Sequence, residues 1–279
     1  MKTIHLPDGT EIPAVGQGTW YLGEERSKRT SETQTLRWGV EHGLTLIDTA
    51  EMYGDGASEE LVGHAIEPLD RSKLFLVSKV YPWNAGRRNI FDSCQDSLDR
   101  LGTDYLDLYL LHWRGSVPLS ETVACMEELK AQGKIRRWGV SNFDLSDMQE
   151  LLRLKHGENC AVVQDLYHLG SRGIEYDLLP FLRRQSIPLM AYSPLAQAGR
   201  LRQKLLSSAA IQTVAENHSI TPIQVLLAFV GVFAIPRASR VSHVQANCEA
   251  ADVVLSAEEL ALLNEAFPAP NRKVPLDMI

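Results

Sequence analysis

Asp48, Tyr53, Lys79 and His112 are the residues of this chain whose types and spacing suit proton transfer. Asp48, Lys79, His112 and Ser141 follow one another at intervals of 31, 33 and 29 residues. Each interval is about one βα unit, roughly 30 residues, so successive parallel strands would deliver them to one rim of a sheet. A free tyrosine titrates near pH ~10, too high for an efficient acid at neutrality. A neighbouring lysine ammonium favours tyrosinate and is expected to lower that value, while Asp48 would keep Lys79 charged and in place. A neutral His112 could bind a carbonyl oxygen and orient it. Singly, each residue has a plainer reading. Asp48 could be a helix cap or an ion-pair partner, Tyr53 part of a turn with Gly54, Lys79 a solvated strand end, and His112 a hydrogen-bonded core histidine beside Trp113. Four such residues in register at strand ends are hard to explain as structure alone.

The elements that must position them are legible as alternating patterns. Apolar runs occur at 14–15, 44–47, 74–77, 106–111, 136–140, 161–163, 189–191 and 232–235. They are rich in Val, Leu and Ile, as strands buried on both faces should be. Helical patterns lie between them: 32–42 ends at Gly43 and 119–132 ends at Gly133, glycines suited to a left-handed cap. Thr221-Pro222 opens another helix, and Ser256 with Glu259 forms a capping box before Leu260 and Leu263. Pro7-Asp8-Gly9, between residues 2–6 and 11–12, reads as a small hairpin. Eight strand–helix alternations without a long linker predict an α/β fold, a (β/α)₈ TIM barrel spanning 1–279 as one domain, with an N-terminal β-hairpin and extra C-terminal helices. An open doubly wound sheet is the alternative. It requires a glycine fingerprint that neither Gly16-Gln17-Gly18-Thr19-Trp20-Tyr21 nor Gly54-Asp55-Gly56-Ala57-Ser58-Glu59 completes. P-loop, H-E-x-x-H and G-x-S-x-G patterns are absent as well.

Bulk properties narrow the function classes. Hydrophobic residues make up 44% and charged residues 23%, close to globular averages, which excludes disorder and coiled coil for the whole chain. A net charge of −7 argues against a broad nucleic-acid footprint. Cys94, Cys125, Cys160 and Cys248 are widely spaced and are expected to be reduced in a cytoplasmic protein. No apolar stretch follows Met1, so no signal peptide is expected, and the longest apolar run, 225–235, is too short to span a bilayer. A monomer is expected, with no membrane and no nucleic-acid partner.

The local words are more specific than the spacing. Asp48-Thr49-Ala50-Glu51-Met52-Tyr53-Gly54, Val77-Ser78-Lys79 and Leu110-Leu111-His112-Trp113 resemble the aldo-keto reductase family. So do Gly139-Val140-Ser141-Asn142-Phe143, Gln164, Ala191-Tyr192-Ser193-Pro194-Leu195 and Ile235-Pro236-Arg237. The resemblance runs from the hairpin to about Phe267, and its nearest branch is bacterial reductases of methylglyoxal and similar small aldehydes. It implies an NADPH-dependent reduction of a small-molecule carbonyl substrate without a metal. Tyr53 becomes the proton donor, with Asp48, Lys79 and His112 completing a tetrad. Ser141, Asn142 and Gln164 would hold the nicotinamide carboxamide and Tyr192 would stack on its ring. Ser193, Pro194, Leu195 and Gln197 would follow the pyrophosphate, and Thr19 and Trp20 would also touch the cofactor. Pro236, Arg237, Ala238, His243 and Asn247 would surround the adenosine phosphate, while Trp20, Trp83, His112 and Trp113 would line the substrate pocket.

The sequence departs from the family in this last group. Arg237 stands where a Lys is usual, Ala238 replaces Ser, His243 replaces Arg and Ala246 replaces Glu. The passage from Phe229-Val230-Gly231-Val232 into the last strand is about four residues shorter than in the family. Either the loop is truly shortened or residues are missing there; the second is expected, because a helix cannot enter a buried strand with almost no connection. The short loop 114–118 and the short tail after Phe267 predict an open site. Two other function classes compete: a cofactor-binding sensor or regulatory subunit on the same scaffold, and, more distantly, a metal-dependent barrel hydrolase. An intact Tyr53 and Lys79 favour the reductase.

Overall fold

A computed structural model describes residues 2–197, 199–231 and 233–279. A hairpin of β1 (Thr3–His5) and β2 (Glu11–Pro13) comes first. Then follow β3 (Gln17–Gly18), α1 (Arg29–Glu41), β4 (Leu46–Asp48), α2 (Ala57–Ile66), β5 (Phe75–Val80), α3 (Ile90–Leu101), β6 (Leu108–Leu111) and α4 (Leu119–Ala131). The second half comprises β7 (Trp138–Ser141), α5 (Leu145–Leu151), β8 (Cys160–Leu166), α6 (Leu178–Arg184), β9 (Leu189–Tyr192) and three helices, α7 (Arg200–Leu206), α8 (Ala209–His218) and α9 (Pro222–Val230). β10 (Phe233–Ile235), α10 (Val241–Ala250) and α11 (Ala257–Ala266) complete it. Strands β3 to β10 pair in chain order and in parallel, and bridges from Val15 to Ala234 and from Gly18 to Arg237 close the sheet into a barrel.

That seam corrects one expectation. Residues 14–15 contribute a single bridge, and the first barrel strand is Gln17–Gly18. The two ends of the sheet meet so closely that a Cβ at Gly18 would lie 2.6 Å from the Ile235 carbonyl oxygen. Closure here selects small residues, so the strand carries no apolar run. Of the expected last strand, Val232 lies outside the described residues, as does that part of the short connection. Val230 ends α9, and Gly231 caps it with a left-handed φ of +58°.

The helix ends follow local chemistry. Gly43 and Gly133 adopt φ +96° and +76° just beyond α1 and α4. Ser256 Oγ accepts from the Glu259 amide at 3.2 Å to open α11, and Gln224 Oε1 accepts from the Thr221 amide at 2.8 Å to open α9. Inside the barrel, Leu46, Phe75, Val77, Leu108, Leu110, Met190 and Phe233 form one cluster that includes Leu6 and Ile12 of the hairpin. The hairpin thus plugs the bottom, pinned by Arg137 Nε to Asp8 at 2.6 Å. The opposite rim stays available for polar residues. Among the described residues, no helix is long and apolar enough to cross a membrane.

Candidate active site

Register delivers the polar residues to that upper rim. Asp48 is level with Gly18 and with Val77, and Lys79 lies two residues beyond Val77 on the same side of β5. Ser141 is level with Gln164, and Gln164 with Met190. The structure brings Asp48, Tyr53, Lys79 and His112 into one cluster. Lys79 is fully buried, and its Nζ donates to Asp48 Oδ1 at 2.6 Å, the Thr49 carbonyl at 2.8 Å and Tyr53 Oη at 3.1 Å. Gln164 Nε2 donates to the other Asp48 oxygen at 2.8 Å. His112 meets Tyr53 edge to face, with ring centres 5.8 Å apart.

Charge in this cluster is set by burial against pairing. Burial alone would strip the Lys79 proton, but the Asp48 carboxylate and the Tyr53 oxygen reverse that and shift its pKa upward, so it is an ammonium. Burial pushes the Tyr53 hydroxyl above its ordinary value; Lys79 pulls it down and Asp48 pushes it up. The lowering expected for Tyr53 is therefore one contribution and not the net direction. Lys79 limits the rise, and Tyr53 is a protonated phenol at neutrality. His112 is pushed down to about 2 by burial and then by Lys79, so it is neutral. Its Nδ1 is buried without a hydrogen-bond partner among the described residues.

A cleft of about 510 Å³ opens above Tyr53 and runs to Asn247. Thr19, Trp20, Asp48, Tyr53 and Tyr192 line its inner end. Ser193, Pro194, Leu195 and Gln197 form one wall, and Pro236, Arg237, His243 and Asn247 surround the far end. Asn142 and Ser141 sit just beneath: Asn142 Nδ2 donates to the His112 carbonyl at 3.0 Å and to Ser141 Oγ at 3.2 Å, and Tyr192 Oη donates to Asn142 Oδ1 at 2.7 Å. Ala238 is buried and absent from the lining.

Trp83 and Trp113 stand apart from this cleft. They pack edge to face at 5.7 Å, and Trp83 stacks on Tyr81 at 4.4 Å while remaining 58% exposed. His112 touches Trp113 with ring centres 5.0 Å apart, so the aromatic group borders the tetrad cluster through His112.

Tyr21, Arg202, Ile223 and Ser239 line the cleft without having been anticipated. The basic spacing of Arg200, Arg202 and Lys204 was a signal for the second. The tail also departs from expectation. It folds back, with Asp277 accepting from Ser171 Oγ at 2.6 Å and Lys273 pairing with Asp144 and Asp177. The Ile279 amide reaches the Tyr192 hydroxyl, so a short tail does not leave this edge uncovered.

Residues 14–267 match the profile of the Aldo/keto reductase family. The chain belongs to that family. It is 59% identical to methylglyoxal reductase YeaE of Escherichia coli, with 100% of this chain and 99% of that protein covered. It is 33% identical to an NADH-specific methylglyoxal reductase of Escherichia coli, over 69% of this chain and 67% of that protein. A solved aldo/keto reductase from Klebsiella pneumoniae, in complex with NADP and acetate, superposes with a TM-score of 0.96 at 56% identity, covering 100% of this chain and 99% of that one. The polar cluster at the rim of an aldo/keto reductase barrel is thus a candidate reduction centre.

Proposed function

We propose that this aldo/keto reductase reduces small aldehydes and 2-oxoaldehydes such as methylglyoxal to alcohols with NADPH. The observation that carries it is the Lys79 ammonium lodged between Asp48 Oδ1 at 2.6 Å and Tyr53 Oη at 3.1 Å at the inner end of the cleft. When bound, NADPH supplies a hydride to the carbonyl carbon. Tyr53 donates its proton to the carbonyl oxygen, and Lys79 stabilises the tyrosinate left behind. Asp48 keeps Lys79 charged, and neutral His112 orients the carbonyl oxygen without competing as an acid. The names of the methylglyoxal reductases above support the substrate class.

The cofactor fits the far end of the cleft as well. Arg237 is exposed and, among the described residues, forms no ion pair. Arg202 and His243 line the same cleft. A phosphate matches such donors, and a guanidinium fork binds it more strongly than a neutral partner. Asn142, Ser141 and Gln164 would take the carboxamide and Tyr192 the nicotinamide face. Trp20, Trp83 and Trp113 would form flat apolar walls for substrate. The chain acts as one barrel domain, a monomer in the cytoplasm, with Cys94 and Cys160 buried as free thiols. Loss of NADPH absorbance on adding methylglyoxal tests the reading. A panel of small aldehydes that leaves NADPH and NADH unoxidised overturns it, and turnover with NADH alone overturns the cofactor choice.

A further inference from the structure

Asp165 is a buried acid that the chemistry above leaves without a task. It follows Gln164 in β8 and has no exposed surface. Its Oδ1 accepts the Phe143 amide at 3.2 Å, and its Oδ2 has no hydrogen-bond partner among the described residues. The Asn142 amide, which donates to the Gln164 carbonyl at 3.0 Å, also lies near enough to favour the carboxylate's charge. The titratable groups facing it are Asp144 and Asp147 at the start of α5 and Tyr192 at the end of β9; Lys273 of the tail pairs with Asp144. Burial outweighs the two amides and pushes the carboxyl up to about 7. A neutral side chain would avoid that cost.

What Asp165 grips is a turn with two further attachments. Asn142 is left-handed, with φ +57°, a conformation that costs a residue other than glycine. Its side chain ties the His112 carbonyl at 3.0 Å to the Tyr192 hydroxyl at 2.7 Å. We infer that Asp165 is a positioning residue for the nicotinamide end of the cofactor: its carboxylate holds the Asn142–Phe143 turn, which presents Asn142 and Tyr192 to the cleft. The inference rests on the reductase reading above.

Holding the turn with a buried charge sets stability against cofactor grip. The folded chain binds the Asp165 proton more tightly than the unfolded chain, whose carboxyl titrates near 3.8. Stability from this group is therefore lost as pH rises through the interval up to about 7. The ionised form is the one that holds the Phe143 amide best, with the Asn142 amide nearby favouring its charge. Asp165→Asn removes the charge and keeps the shape. In the full chain its Tm should exceed that of the wild type by a few degrees at pH 8, and the gain should shrink steadily as pH falls toward ~4, where the unfolded carboxyl is protonated too. Its Kd for NADPH at pH 8, read by quenching of tryptophan fluorescence, should rise about fivefold. Asp165→Ser should follow both trends. A lower Tm at pH 8 with unchanged Kd would mean a plain structural role, and failure of both variants to fold would equally contradict the account. A wild type that does not oxidise NADPH with any aldehyde sinks the reductase reading. An active wild type whose variants keep their Kd sinks this inference alone.

Discussion

The two ends of the cleft are built on different principles. At the inner end Asp48, Lys79 and Gln164 lie on strands, are 1%, 0% and 1% exposed, and are fixed by register and by one another. At the far end Arg237 and His243 are exposed, one on the loop after β10 and the other on α10. Charges interact strongly where water is excluded and weakly where solvent and salt screen them. On the proposed reading, the proton-transfer geometry is therefore prepaid by the barrel, whereas phosphate recognition would depend on side chains that solvent can compete with. Chemistry at the inner end should resist small changes and fail outright when a member is removed. Selectivity at the far end should be adjustable in modest steps.

The largest effect short of removing the proton donor itself is expected at Lys79. Lys79→Met leaves Asp48 as an unpaired buried charge and raises the Tyr53 hydroxyl further, so kcat should fall at least ~10²-fold. Thermal melts should show the loss of a buried pair, of order 3–5 kcal/mol, while NADPH binding stays within a few-fold. A kcat within a factor of a few of wild type would dissolve the contrast between the two ends.

Arg237→Ala should be milder and selective. KM for NADPH should rise about tenfold, or ~1.4 kcal/mol, with KM for NADH nearly unchanged. Raising the salt should shrink the difference, since the contact is exposed. Equal losses with both cofactors would mean that Arg237 supports its loop and does not read the phosphate. Arg202, on α7 across the cleft, is the second cation to remove if the NADPH preference survives.

Trp83→Ala should have the smallest consequence. The ring is 58% exposed and stacks on Tyr81 outside the long cleft. An aromatic contact of ~0.5–1.5 kcal/mol converts to a two- to tenfold rise in KM for an aromatic aldehyde. Methylglyoxal, which offers no ring to stack, should be turned over as before. A comparable loss for both substrates would place Trp83 in the packing of Trp113 and not in the pocket.

The inner end was legible in the sequence because buried parallel strands must be apolar until they reach the rim, so a polar residue closing such a run advertises itself. Asp48, Lys79, His112 and Gln164 stood out in this way, and helix ends stood out through Gly43, Gly133 and Ser256. Residues outside that rule were missed. β3 was misplaced because barrel closure demands glycine where the rule looks for bulk. Arg202 and Tyr21 reach the cleft from an inserted helix and a positive-φ turn, positions set by tertiary packing. The contact between the tail and Tyr192 joins residues far apart in the chain, and no local pattern encodes it. The direction of the Tyr53 shift was also beyond reach, because it balances burial against Lys79 and Asp48 and burial is not written in spacing.

The central claim is that Tyr53 supplies the proton while taking little part in holding the cofactor. Tyr53→Phe keeps the ring against Trp20 and His112 and removes one hydroxyl. Measured side by side, kcat for methylglyoxal should drop by ~10²–10⁴ while Kd for NADPH stays within about threefold. A variant that keeps more than about a tenth of wild-type kcat would contradict the assignment of Tyr53 as the acid.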